Sequence, residues 1–276
     1  MWNRISYTWE VMGHCWGLLR ADKKLLVFPV LSSFACLLVL ATFAFPLWAT
    51  DHIHSEHLKT PLNYALLFAF YFCNYFVIVF FNSALITCAS LRMAGHEDVP
   101  LSRGFEMAGR RIHLIAGWAL LSATVGLILQ IIENAHEKAG QIVGGLLGMA
   151  WTMLTFLAVP ALVIDGVGPV EAVKTSARLF KKTWGEQLVG NFSFGWIFAL
   201  LSMPIVMLLV LGVFAFAGHH EALGVLLVGL SLLALVLLAV IQSALQTIFQ
   251  TTLYLYTRDQ KAPLGIDPKL LAGAVA

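Results

Sequence analysis

Residues 168–217 read GPVEAVKTSARLFKKTWGEQLVGNFSFGWIFALLSMPIVMLLVLGVFAFA. The passage changes character midway. In its first part Lys174, Arg178, Lys181 and Lys182 alternate with Val173, Ala177, Phe180 and Trp184. The apolar spacing of four, three and four residues marks one stripe of an α-helix. Pro169 suits a first helical position and Gly185 a stop. In the second part, 188–217, no Lys, Arg, Asp or Glu occurs. That run exceeds the roughly 20 apolar residues that a membrane-spanning helix needs. A basic amphipathic helix therefore leads into a span.

The rest of the chain is written the same way. Hydrophobic residues are 59% and charged residues 12% of the 276, whereas a soluble domain has roughly 25% charged residues. Apolar runs free of internal charge cover 25–49, 62–91, 113–132, 142–164, 188–217 and 223–257. The class is an all-α integral membrane protein with six spans in a single membrane domain. The first run is too long, and begins too far from the N-terminus, for a cleaved signal peptide. Cys15, Cys36, Cys73 and Cys88 form no CxxC pair, so neither a disulfide nor a thiolate metal site is expected.

Two further segments resemble 169–184. Residues 3–20 carry the stripe Ile5, Trp9, Met12 and Trp16, and residues 100–112 carry Leu101, Phe105, Ala108 and Ile112. The chain thus reads as three repeats of a basic interfacial helix followed by a transmembrane hairpin. Such helices lie on the leaflet, with Arg103, Arg110, Arg111, Lys174, Arg178, Lys181 and Lys182 directed at lipid headgroups. All Lys and Arg other than Lys59 and Lys138 fall on one side of this topology. The positive-inside rule then places both termini in the cytoplasm and the protein in the cytoplasmic (inner) membrane.

The stretch TWGEQLVGN at 183–191 resembles a bacterial and archaeal family of six-span membrane proteins, domain of unknown function 6159. ADKKLLVFPVLS at 21–32, NYFVIVFFNSAL at 74–85 and GWALLSATVGLIL at 117–129 share that resemblance, which runs from the N-terminal helix to about Tyr256. It implies six spans and brings no activity, cofactor or catalytic residue. More distantly, a basic helix leading into a hairpin is similar in layout to the membrane domain of some glycerophosphodiester phosphodiesterases.

The spans contain amides where charges are absent. Asn74 and Asn82 lie two turns apart in the second, and Gln242, Gln246 and Gln250 recur every fourth residue in the sixth. The glutamines share one helix face with Ser243, Thr247 and Thr251. They are expected either to bridge helices or to line a neutral polar seam. Gly140, Gly144 and Gly148 open the fourth span at a spacing that permits close helix packing, within the chain or in a homo-oligomer. His52, His54, His57, His136, His219 and His220 cluster in the outer loops with acidic neighbours, a donor set suited to zinc, copper or nickel. Walker A, GxSxG, HExxH and dinucleotide-binding motifs do not occur, and neither enzymatic activity nor a cofactor is expected. The leading reading is a binding or passage module for a small neutral solute or lipid. The alternatives are a scaffold that organises partners or anionic lipid, and an outer-face metal-binding protein. Anionic membrane lipids are the expected partners, with a homo-oligomer as an option and no nucleic acid.

Overall fold

A computed structural model describes residues 2–49, 61–135, 139–182 and 184–259. The described residues are helical apart from short turns. The helices are α1 (Trp2–Ala21), α2 (Val27–Ala49), α3 (Pro61–Met93), α4 (Leu101–Arg110), α5 (Ile112–Ala135), α6 (Ala139–Leu154), α7 (Ala158–Ile164), α8 (Pro169–Lys182), α9 (Trp184–Ala217) and α10 (Glu221–Asp259). A single 3-10 turn, Lys23–Leu26, joins α1 to α2. Six segments are long and apolar enough to cross a membrane: Lys23–Ala44, Leu62–Met93, Ile112–Asn134, Ala139–Ile164, Ile197–Ala217 and Glu221–Asp259.

Burial is concentrated at one end of the molecule. Cys15 of α1 approaches Thr252 of α10 at 3.9 Å, and Lys24 pairs with Asp98 of the α3–α4 turn at 3.4 Å. Arg258 of α10 reaches Asp165 after α7 at 2.7 Å. The N-terminal segment, both turns and the end of α10 therefore meet at the same pole. The buried core includes Phe28, Leu85, Ile115, Leu162, Ile248 and Tyr254. Among the long helices α9 packs with α10, α3 with α5 and α2, and α5 with α6. Met203, Phe214 and Leu226 are 70%, 69% and 64% exposed. Such a surface is untenable in water and ordinary against lipid tails.

The fourth span is not the single helix expected over 142–164. It breaks into α6 and α7 at residues 155–157. Pro160 is the cause: it has no N–H for the carbonyl of residue 156, and its ring crowds the preceding turn. The freed backbone is repaired from outside the span. Leu157 N donates to the Ser176 hydroxyl of α8 at 3.0 Å, while Ala158 N donates to Thr155 O at 2.9 Å. Ser176 is wholly buried, so α8 is wedged beneath the break.

The three short helices keep part of their expected stripes. α1 buries Val11, Met12, Cys15 and Leu19, leaving Trp16 44% exposed. α8 turns Ala172 and Ser176 fully inward, with Val173 and Phe180 at the margins. α4 keeps its expected face: Ala108 is buried beside Gly104, and Leu101 and Phe105 pack against the core, Phe105 on Phe28, Phe80 and Phe81, whereas Ile112 belongs to α5 and is 48% exposed. In α8 packing against the bundle turns the helix by about one residue from the face that hydrophobicity alone selects. α4 and α8 segregate polar from apolar faces sharply, and α1 does so weakly. Trp184, expected to close the third short helix, instead opens α9.

Candidate functional site: an amide-lined cleft between two spans

Asn82 of α3 faces Gln242, Gln246 and Gln250 of α10 across a cleft of about 270 Å³. Ala239, Ser243 and Thr247 complete its wall. The register explains the convergence. Residues 239, 242, 246 and 250 advance by three or four, 243 and 247 lie beside them, and all share a face of α10. α3 packs along that face. Asn82 lies eleven residues before Met93, and Gln246 thirteen before Asp259. At 1.5 Å per residue the cleft sits about 16–20 Å from these helix ends, along two helices long and apolar enough to cross a membrane.

The hydroxyls and the amides behave differently. Thr247 Oγ1 donates to Ser243 O at 2.9 Å, and Thr251 Oγ1 donates to Thr247 O at 2.7 Å. These groups are satisfied by their own helix. Among the described residues, no protein hydrogen bond engages the side-chain amides of Asn82, Gln242, Gln246 or Gln250. All four are half-buried. An amide moved from water into hydrocarbon without a partner costs about 4–8 kcal/mol. An interhelical bond in a membrane returns only about 0.6 kcal/mol. The arrangement suits a wet or ligand-filled cleft rather than an interhelical clamp.

Asn74 takes no part in it. Its Nδ2 donates to Phe70 O at 2.9 Å within α3. At a spacing of eight residues, 74 and 82 share a face only approximately, and the cleft lies alongside the latter.

The other candidate residues lie elsewhere. Gly140 and Gly144 are buried against the end of α5. A Cβ on Gly140 would come within 2.6 Å of Ile132 O, and one on Gly144 would strike the Glu133 side chain. Gly148 faces Leu129 at ordinary contact distance. The small-residue stripe is thus occupied by the chain's own α5. Trp118 stacks on Trp151 in the same hairpin, with ring centroids 6.3 Å apart.

Among the basic residues, Lys174 and Arg178 both pair with Glu171 of their own helix, at 3.7 and 2.8 Å. Arg103 and Arg110 share Glu106 at 3.0 and 2.7 Å. Lys181 is exposed, and the Lys182 side chain lies outside the described residues. Arg111, expected to face lipid, instead turns inward. Its Nη1 donates to Leu162 O at 3.2 Å, capping the end of α7.

His52, His54, His57 and His136 lie outside the described residues. His219 and His220 form the α9–α10 turn, where His219 adopts φ +62°. His220 N donates to Ala215 O and His219 N to Phe216 O, the paired bonds of a Schellman cap. Among the described residues no cluster of three or more His, Cys, Asp or Glu is placed to hold a metal.

One polar constellation was not anticipated. Tyr254, wholly buried, donates its hydroxyl to Asp165 Oδ2, and Arg258 Nη1 donates to Asp165 Oδ1 at 2.7 Å. Arg258 is also held by Asp259 at 2.6 Å. The sequence signal is faint: Asp165 ends a span 89 residues before Tyr254, and a lone Tyr in an apolar run reads as filler.

Fold and site together define a multi-pass α-helical membrane protein with a neutral polar cleft between two of its long helices. Residues 62–264 match the model described as Family of unknown function (DUF6159), and the chain belongs to that family. The match begins after α1 and α2, so ADKKLLVFPVLS lies outside it. No curated protein and no solved structure matches the chain.

Proposed function

We propose that this protein is a non-enzymatic membrane module that binds a small neutral solute or lipid in the cleft between α3 and α10 and gives it passage. One observation carries the reading: four amides without protein partners converge on one cavity between two membrane-length helices. Amides offer both donors and acceptors without charge. They suit hydroxyl, amide or ester groups better than ions.

Around this site we read three repeats, each a short helix (α1, α4 or α8) followed by two spans, with the short helices at the cytoplasmic leaflet of the inner membrane. Lys174, Arg178 and Lys181 on the exposed side of α8 favour anionic lipid there.

The test is thiol accessibility. In a background lacking Cys15, Cys36, Cys73 and Cys88, Gln246→Cys should react in intact membranes with a small water-soluble thiol reagent. Ala234→Cys, about three turns away on α10, is the control for access through lipid. Modification at 246 that a candidate solute slows would identify the ligand. Unreactive thiols in Gln242→Cys, Gln246→Cys and Gln250→Cys alike would refute passage through the cleft.

A further inference from the structure

A second cavity, of about 160 Å³, lies at the pole where the loops gather. It is lined by Thr87, Ser90 and Leu91 of α3, Arg103 and Met107 of α4, Arg111, and Val163 and Ile164 of α7. Residues 103, 107 and 111 are spaced by four, so α4 and its C-terminal cap present two guanidinium groups along one wall. Residues 87, 90 and 91 present the last turns of α3 opposite.

The two arginines are held but not used up. Arg103 gives Nη1 to Glu106 Oε2 at 3.0 Å, and Arg111 gives Nη1 to Leu162 O at 3.2 Å. A guanidinium has five N–H donors, so each retains several. The contact to Leu162 orients Arg111 as a fixed fork, the geometry that favours bidentate phosphate recognition. The volume far exceeds the roughly 10–15 Å³ that one water requires. Thr87 Oγ1 donates to Ser83 O at 2.9 Å and Ser90 Oγ to Thr87 O at 2.9 Å. Their hydroxyls therefore have lone pairs to offer, which suit a donor on the ligand, such as a headgroup hydroxyl. Met107, Val163 and Ile164 supply an apolar margin.

We infer that this cavity is a binding site for a phosphate-bearing ligand, with the phosphate between Arg103 and Arg111 and hydroxyls of the ligand on Thr87 and Ser90. The position at the helix ends and the apolar margin fit a hydroxylated phospholipid headgroup. Free phosphate offers the same oxyanion chemistry. The site is separate from the amide cleft and does not depend on it.

The experiment uses the full chain in nanodiscs of phosphatidylcholine. Retained lipid is measured by native mass spectrometry after titration with phosphatidylglycerol. In parallel, thermal stabilisation is measured with inorganic phosphate or glycerol 3-phosphate. Arg103→Gln should weaken binding by about tenfold or more, the value of one charge-assisted contact. Because Arg111 also caps α7, the second variant is Ser90→Leu, which fills the cavity and leaves both arginines in place. The surface variant Ser102→Ala, exposed on α4 and outside the cavity lining, should bind as the parent does. Loss in both Arg103→Gln and Ser90→Leu, for phosphatidylglycerol alone, assigns a lipid site. The same loss for the soluble phosphates assigns a free-phosphate site. Binding unchanged in both variants, or absent from the parent with every probe, overturns the inference.

Discussion

Tyr254 and Cys15 show how single side chains tie the ends of the chain together. The Tyr254 hydroxyl and the Arg258 guanidinium both donate to Asp165, so one carboxylate joins the end of α7 to the end of α10. Hydrogen bonds to a charged group contribute about 1.5–3 kcal/mol. Tyr254→Phe should lower stability by that amount, read as earlier unfolding in SDS titration, whereas Thr124→Ala on the exposed side of α5 should change little. Cys15 is an independent case. Burial pushes its thiol up to about 12 from an ordinary value of 9.0, and the hydrogen bond with Thr252 opposes the shift only in part. The folded pKa is raised, so the contribution to stability is complete below 9 and is lost as pH rises toward 12. With the other cysteines replaced, Cys15 should resist thiol reagents at pH 8 in the folded protein and react on unfolding. Rapid labelling of folded protein would show that the α1–α10 contact opens. Sequence periodicity placed Gln242, Gln246 and Gln250 on one face because helical spacing alone decides that. Asn74 and Arg111 could not be placed in the same way, because their partners, Phe70 O and Leu162 O, are backbone atoms that no side-chain pattern reveals.

At the scale of elements, the spans were legible because about twenty uncharged apolar residues have few alternatives to a membrane helix. The inward face of α8 was not. α8 presents Ala172 and Ser176 inward because small residues allow it beneath the α6–α7 break, a reason that resides in the partner rather than in α8. α4 shows the same logic at Gly104, where a Cβ would come within 2.7 Å of Ala84 O and 2.9 Å of Cys88 Sγ. The α6–α7 break could have been suspected from Pro160, yet its repair by a residue 19 positions away could not. That repair is testable. Ser176→Ala leaves the Leu157 N–H without its acceptor in a buried site, at a cost of about 1–3 kcal/mol. Thr152→Ala, on the exposed side of α6, should cost less than about 0.5 kcal/mol. Equal stabilities for the two variants would show that Ser176 does not support the break.

At the scale of the whole molecule, the charged segments and the core share one pole. Lys24 with Asp98, Arg92 with Asp22 and Arg258 with Asp165 are ion pairs between segments far apart in the chain. They hold the N-terminal segment, the two turns and the end of α10 in one layer. The opposite pole holds the α9–α10 turn at Gly218–His220, with exposed apolar helices leading to it. Lys and Arg crowd the first pole, and moving such charges across a bilayer is costly. The positive-inside rule then predicts that this pole faces the cytoplasm. A reporter fused after Ala276 should be active only in its cytoplasmic form, and one inserted at Gly218 only in its external form. Reversal of both would turn the protein over in the membrane and move the arginine-lined cavity to the outer leaflet. The same activity class at both positions would break the six-span topology itself, because a single α10 separates the two sites.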